Sequence, residues 1–396
     1  MENMTAEKNT TARSWDWRKQ REKRAFLALA DGTILRGYSV GADKDALGEV
    51  VFNTGLTGYQ EIITDPSYHG QIVTMTYTEI GNTGINPEDM ESRQAFANGF
   101  IVHEMTEPRN WRSTISLSDY LKEQGIPALA GIDTRALTFK LRTAGTLRAL
   151  ICTSGNVAPE DAVKQAADWC GLDNQDYASR VTCKDSYEFD PDGTSSTSWG
   201  MGTEELPKPD LHVVAYDFGV KLNILRRMRQ QGMRITVVPA NTPANDILAL
   251  KPDGVFVSNG PADPAPLDYA IASIRDLIGR VPMMGICLGH QLLGLALGGT
   301  TFRLKFGHHG CNHPVMDLST RKVEITSQNH NFCVDIDSLD KGSVEVTHIN
   351  LNDNTAEGLR HTKEPIFSMQ YHPEAAPGPH DASYLFKRFR TLIEEA

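Results

Sequence analysis

Cys287 is the residue of this chain placed most plainly to do chemistry. It lies in Val281-Pro282-Met283-Met284-Gly285-Ile286-Cys287-Leu288-Gly289-His290-Gln291, where an apolar strand pattern meets Gly-x-Cys-x-Gly and then a helical pattern. Glycines on both sides let the chain turn sharply from strand to helix, the arrangement of a nucleophile elbow with sulfur in place of oxygen. The helix behind the turn offers unpaired N–H groups and a positive dipole end, both of which favour a thiolate. A buried structural thiol does not need two flanking glycines.

A sulfur nucleophile needs a proton shuttle. The chain has 12 histidines, so no single one is informative, but the run Ser368-Met369-Gln370-Tyr371-His372-Pro373-Glu374 is. A residue before proline is extended, and in extended chain residues i and i+2 face the same side. His372 and Glu374 are therefore expected to project together, the carboxylate fixing the imidazole as in a triad. Gln291 lies one helical turn after Cys287, where its amide can meet a small polar substrate. Gly260, in Val257-Ser258-Asn259-Gly260-Pro261-Ala262-Asp263-Pro264, allows a backbone N–H to join that of Leu288 in a two-donor oxyanion hole.

These residues need a scaffold, and the pattern after residue 210 supplies one. Strands are expected at His212–Tyr216, Arg234–Val238, Gly254–Ser258 and Pro282–Ile286. Between them come helices at Asn223–Gln231, Asp246–Leu250 and Tyr269–Ile278, and another follows from Leu288. This alternation predicts an α/β domain, a parallel or mixed sheet flanked by helices, with its site in loops at the carboxyl ends of strands. Residues 25–155 read instead as α+β. They have strands at Phe26–Leu29, Gly48–Phe52, Gln71–Met75 and Gly99–Val102, a helix at Ser118–Gln124 capped by Ser118, and another opening at Asp133–Thr134. Residues 156–210 form a connecting segment that ends in the linker Leu206-Pro207-Lys208-Pro209-Asp210, and residues 1–24 are a polar extension. The catalytic domain is then 211–396.

Composition removes several classes of function. With 396 residues the chain has room for two or three domains. Its 39 Lys and Arg against 50 Asp and Glu give a net charge of −11, unsuited to binding nucleic acid or an anionic membrane. The greasiest run, Leu292–Leu297, is far too short for a membrane span. Six cysteines, at 152, 170, 183, 287, 311 and 333, include no C-x-x-C pair and suggest reduced thiols in a cytoplasmic protein. The first residues lack the apolar core of a signal peptide and the acid-poor character of a transit peptide.

Gly285 to Gln291 together with His372-Pro373-Glu374 resembles the class I (triad) glutamine amidotransferases. Phe52-Asn53-Thr54-Gly55-Leu56-Thr57-Gly58-Tyr59-Gln60-Glu61-Ile62-Ile63-Thr64-Asp65-Pro66-Ser67-Tyr68 and Ala130-Gly131-Ile132-Asp133-Thr134-Arg135 narrow the likeness to the small, glutaminase subunit of carbamoyl phosphate synthetase. Phe306-Gly307-His308-His309-Gly310, Asn312-His313-Pro314 and Pro377-Gly378-Pro379-His380-Asp381 are similar to the same family.

The resemblance, over about residues 25–395, implies hydrolysis of L-glutamine to glutamate and ammonia. Cys287 would be nucleophile, His372 proton shuttle and Glu374 its orienter. The N–H groups of Leu288 and Gly260 would hold the oxyanion. It also implies glutamine contacts at Ser67, Gly260, Ala262, Leu288, Gln291, Asn329, Asn331 and Phe332. Two positions depart from the family pattern. Ala262 stands where glycine is expected, costly if the loop needs positive φ, and Asn331 stands where glycine usually follows Asn-His.

The crowded His308, His309, Cys311 and His313 have spacing poor for a tetrahedral site, and the family carries this run without a metal; none is expected. No phosphate-binding Gly-x-x-x-x-Gly-Lys-Ser/Thr loop is present. The chain is therefore expected to hold no cofactor. The resemblance names a large synthetase subunit as partner, which uses ATP and Mg to build carbamoyl phosphate for pyrimidine and arginine biosynthesis from ammonia passed to it. The assembly implied is a heterodimer or a higher hetero-oligomer, docked through residues 25–155. Two other readings are the glutaminase component of another amidotransferase, such as anthranilate synthase, which would lack the large front domain, and an assembly subunit of weak or no activity.

Overall fold

The computed structural model of the chain describes residues 17–197 and 205–396. Most of the polar extension, residues 1–16, and the stretch from Ser198 to 204 in the connecting segment lie outside the described residues.

In the first half, short apolar runs form seven strands: β1 (Arg24–Leu29), β2 (Ile34–Ser39), β3 (Ala46–Asn53), β4 (Gln71–Met75), β5 (Gly99–Ile101), β6 (Ala128–Ala130) and β7 (Leu147–Cys152). They close into a barrel in the order β1-β2-β6-β5-β4-β3-β7, with β7 paired back on β1. Closure removes the exposed edges that short strands would otherwise leave. The two-residue period divides the side chains. Val50, Ile72, Ile101 and Leu129 fill one cluster, while Val51, Val73, Phe100 and Ala128 fill another. The second cluster also packs helices α1 (Tyr59–Thr64) and α2 (Leu117–Glu123); Leu137 and Leu141 of α3 (Thr134–Ala144) pack into the first.

The cap of α2 differs from expectation. Ser116, not Ser118, is its N-cap and accepts from Asp119 N, while Ser118 is buried with its hydroxyl donating to Val40 O at 2.7 Å. Two serines flank Leu117, and burying that leucine selects the earlier one. Helix α3 opens at Thr134 as expected, with Asp133 as its N-cap.

The connecting segment is structured where it is described. Helix α4 (Pro159–Asp168) lays Ala162 and Ala166 on the barrel, and β8 (Tyr187–Phe189) pairs antiparallel with a strand of the second half.

That second half is one mixed sheet. Its strands are β8, β9 (Leu211–Asp217), β10 (Met233–Pro239), β11 (Gly254–Val257), β12 (Met283–Ile286), β13 (Thr301–Asp317), β14 (Val323–Val334), β15 (Val344–Asn350), β16 (Ala356–His361) and β17 (Ile366–Met369). The order is β8-β10-β9-β11-β12-β17-β16-β15-β13-β14. The run β10-β9-β11-β12-β17 is parallel, as the alternating pattern predicts; β16, β15, β13 and β14 extend it antiparallel. Val213 and Ala215 face α5 (Leu222–Gln230) and α8 (Tyr384–Glu395). Val214 and Tyr216 face α6 (Asp268–Leu277) and α7 (Leu288–Ala296), so both faces of the parallel part are covered.

Helix α7 lies very close to β11. A Cβ on Gly289 would come within 2.0 Å of Val257 O, which only glycine avoids. Gly289→Ala is expected to force α7 off the sheet, costing about 1–3 kcal/mol. A lowered urea midpoint with an unchanged slope would show this; an unchanged midpoint would contradict it.

Candidate active site

Cys287 ends β12 and precedes α7 with φ 53° and ψ −106°, a strained conformation for a residue with a side chain. Its own N–H donates to Met369 O of β17 at 2.8 Å, and its carbonyl accepts from Gln291 N at 3.1 Å. The elbow is thus clamped from both sides. Its Sγ donates to Asn329 O at 3.5 Å. Leu288 is the first residue of α7, where a helix leaves its N–H groups unpaired. Gly260 lies alongside; a Cβ there would meet Phe218 O at 2.3 Å and the Leu288 side chain at 2.6 Å.

His372 follows β17 and is held in place by its N–H donating to Ser327 O at 2.9 Å. Its Nδ1 lies 2.7 Å from Glu374 Oε1, as the His-Pro-Glu spacing predicts. The buried Nε2 makes no hydrogen bond of good geometry and is left for the sulfur side. Burial disfavours the imidazolium, but the charges of Glu374 and Cys287 outweigh it and lift the His372 pKa to about 10. Burial likewise pushes Glu374 up, yet Lys221 and His372 carry it down to about 2. A buried row results: the charges of Lys221, Glu374 and His372, with the Cys287 sulfur at its end.

Lys221 has no counterpart in the motif reading. Its Nζ donates to Glu374 Oε1 and to Ala375 O, each at 2.9 Å, and both charged side chains are almost wholly buried. Asn223 Nδ2 adds a bond to Glu374 O at 2.9 Å. Glu91, from the first half, caps this same turn, accepting from Leu222 N at its carbonyl and from Asn223 N at Oε2. Burial lifts the Glu91 pKa to about 8 in spite of Lys221 and Arg226.

Ser67, Gln71, Gly260, Ala262, Gln291, Asn329, His330 and Asn331 line one narrow cavity with Cys287, and as it stands there is room for about one water molecule. Six of the expected contacts are therefore brought together with the sulfur; Leu288 adjoins them, and Phe332 is reached through Gln291 Nε2, which donates to its carbonyl at 2.7 Å. Gln291 Nε2 also donates to Gln370 Oε1 at 3.1 Å, so its amide nitrogen is already engaged in holding β14 and the His372 strand. Ala262 has φ 65°, the positive value at which its replacement of glycine is costly. Asn331 is not among the positive-φ residues; its side chain reaches Glu49 and His309 instead.

Ser67 is delivered by a short turn, Pro66–Tyr68, capped by Asp65. Asn259 joins it to the second half, donating from Nδ2 to Ser67 Oγ and to Gly219 O, each at 2.9 Å. Gln71, Asp65, Asn259, Glu49 and Lys221 are the site-forming residues that motif reading misses. They are single polar residues, and only the fold brings them near Cys287.

Residues 214–392 match the family model described as Glutamine amidotransferase class-I, and residues 27–151 match Carbamoyl-phosphate synthase small chain, CPSase domain. The carbamoyl phosphate synthase small chain of Syntrophotalea carbinolica is 54% identical over 373 residues, covering 94% of this chain and 98% of that one. The chain belongs to the carbamoyl-phosphate synthase small chain family. The Akkermansia muciniphila small chain is 51% identical over 93% of this chain and 97% of its own length. For the Thermosynechococcus vestitus small chain the values are 53%, 92% and 95%. The likeness therefore spans both halves of the chain. Among the described residues no helix is long and apolar enough to cross a membrane.

The charge row makes a pH prediction. The raised His372 pKa adds stability that is complete below its ordinary 6.5 and is lost as pH rises through about 10. The lowered Glu374 pKa adds stability that is complete above its ordinary 4.5 and is lost as pH falls through about 2. The stability gap between the parent and Glu374→Gln in urea unfolding is therefore expected to be widest between pH 4.5 and 6.5. A gap independent of pH would contradict the assignment.

Proposed function

We propose that this chain is the glutaminase subunit of a carbamoyl phosphate synthetase, hydrolysing L-glutamine to glutamate and ammonia. The observation that carries the reading is the strained Cys287 elbow beside the His372–Glu374 pair, in a cavity shared with Ser67, Gly260, Ala262, Gln291, Asn329 and Asn331.

The Cys287 thiolate attacks the side-chain amide carbon of glutamine. The oxyanion that forms is held by the N–H groups of Leu288 and Gly260. His372, kept protonated by Glu374 and the sulfur, gives its proton to the departing ammonia as the C–N bond breaks. The neutral imidazole then takes a proton from water, whose oxygen attacks the thioester. Glutamate leaves, and sulfur and imidazole return to their starting charges. Glu374, anchored by Lys221, orients the ring throughout. Ser67, Ala262, Gln291, Asn329, Asn331 and Phe332 hold the glutamine, with Ser67 contributed by the barrel half.

These residues need no cofactor for hydrolysis. Carbamoyl phosphate synthesis from the ammonia, bicarbonate and ATP falls to a large subunit, which supplies the ATP and Mg chemistry. The heterodimer, or a higher assembly of it, works in the cytoplasm and feeds pyrimidine and arginine biosynthesis. Residues 25–155 dock the large subunit, 156–210 connect, and 211–396 carry the triad; residues 1–24 are given no role. Support for docking is that the first half is large and holds none of the three triad residues.

In the complex with a large synthetase subunit, Cys287→Ser is expected to reduce glutamine-dependent carbamoyl phosphate synthesis at least about 10³-fold. Synthesis from added ammonia should persist. Undiminished glutamine use by that variant would contradict the mechanism.

A further inference from the structure

His309 lies on β13, buried between the side chains of two residues that line the glutamine cavity. Its Nδ1 is 3.0 Å from Asn329 Oδ1 and its Nε2 is 2.9 Å from Asn331 Oδ1. The groups behind each amide decide which end faces the ring. Asn329 Nδ2 donates to Asp65 Oδ2 at 3.1 Å, and Asn331 Nδ2 donates to Glu49 Oε1 at 3.0 Å. Asp65 also accepts from Ser67 N, and Glu49 is ion-paired with Arg303, which in turn pairs with Asp173. Both carboxylates thus act as acceptors, so turning either amide over would set oxygen against oxygen.

The imidazole therefore faces an acceptor at each nitrogen. A neutral ring has one N–H and one lone pair, and it can satisfy only one of the two. Both bonds are made at once only when the ring carries two protons.

We propose that His309 is a positioning residue for the glutamine site, fastening Asn329 and Asn331 together when doubly protonated and so tying the cavity wall to Asp65 and Glu49 of the barrel. This rests on the glutaminase reading and deepens it. The carboxylates act on the ring through the amides, each drawing an N–H and leaving the oxygen more negative toward the imidazole.

The surroundings set the contest. Burial opposes the second proton most and draws the pKa toward about 4; the oxygens of Asn331 and Asn329 favour the proton, and His308 and Arg303 oppose it. His308, beside it on β13, is itself lifted to about 9 by Asp353 and Glu357 against its burial. His313 on β13 and His330 on β14 also lie close, and both are driven toward neutrality by burial and by His308. From the barrel the Tyr68 ring stands 6.0 Å away. The two acceptors place the doubly bonded cavity wall on the acid side of the His309 titration, one of the two bonds being lost as pH rises through it. The lowered pKa means that the folded chain as a whole loses stability as that proton goes on.

Two measurements test this on the full chain. Ring ¹⁵N shifts of histidine-labelled protein, with His309→Gln used to assign the signal, report whether both His309 nitrogens are protonated from about pH 4 to about pH 9. Glutaminase kinetics over the same range give KM and kcat separately. The expected result is a glutamine KM roughly tenfold higher on the alkaline side of the His309 titration, the worth of one hydrogen bond. His309→Gln should lack that step, and Asn331→Ala should move it to lower pH. A ring that stays neutral throughout overturns the proposal, as does a KM profile of the parent that superimposes on that of His309→Gln. If Cys287→Ser still hydrolyses glutamine, the glutaminase reading itself fails. A parent that hydrolyses glutamine without the KM step defeats the role of His309 alone.

Discussion

A buried negative charge governs this site. Glu374 is fully buried, and an isolated carboxylate in that position would take up a proton rather than remain charged. Lys221 prevents this from one side and His372 from the other, at 2.9 Å and 2.7 Å. Each charge in the row is tolerable because of its neighbour, and the last neighbour is the sulfur. Removing any member would leave an uncompensated charge in the interior, and breaking such a pair costs far more than the pair itself contributes. The burial that makes the row expensive also makes it effective, since little water screens it.

That dependence explains why the chain needs two halves for a three-residue chemistry. Glu91 reaches from the first half to cap the turn that carries Lys221. Asp65 and Ser67 meet Asn259 and Asn329 at the cavity, and Glu49 meets Asn331 and Arg303. The barrel thus forms part of the cavity wall as well as standing beside it. Movement of the barrel, such as a bound partner could impose, would be felt by the cavity through these bonds. As it stands the cavity has room for about one water molecule.

The legible parts of the sequence were those with local physical causes. Gly285 and Gly289, on either side of Cys287, announce a strand-to-helix corner because close packing excludes a Cβ at both. His372 and Glu374 announce a pair because proline enforces extended chain. The parallel strands β9 to β12 read correctly from continuous apolar runs. Barrel closure was not legible, because it depends on β7 returning to β1 across more than a hundred residues. Nor was the antiparallel extension through β13 and β14, long strands whose many polar positions serve the site rather than the core. Lys221 was hidden for a similar reason: a lone lysine before a helix looks solvated until the fold buries it against Glu374. Asn331, read as standing in the place of a glycine, makes side-chain bonds to His309 and Glu49 that a glycine could not.

The most direct test of the charge row is the rate at which a small alkylating reagent modifies Cys287, followed against pH in the parent and in Glu374→Gln. The other five cysteines are separated by peptide mapping. If the row holds, the parent reacts fast at neutral pH because a protonated His372 stands beside the sulfur, and the variant reacts markedly more slowly there. Equal rates in the two proteins across the whole range would mean that Glu374 does not sustain the imidazolium, and the account would fall.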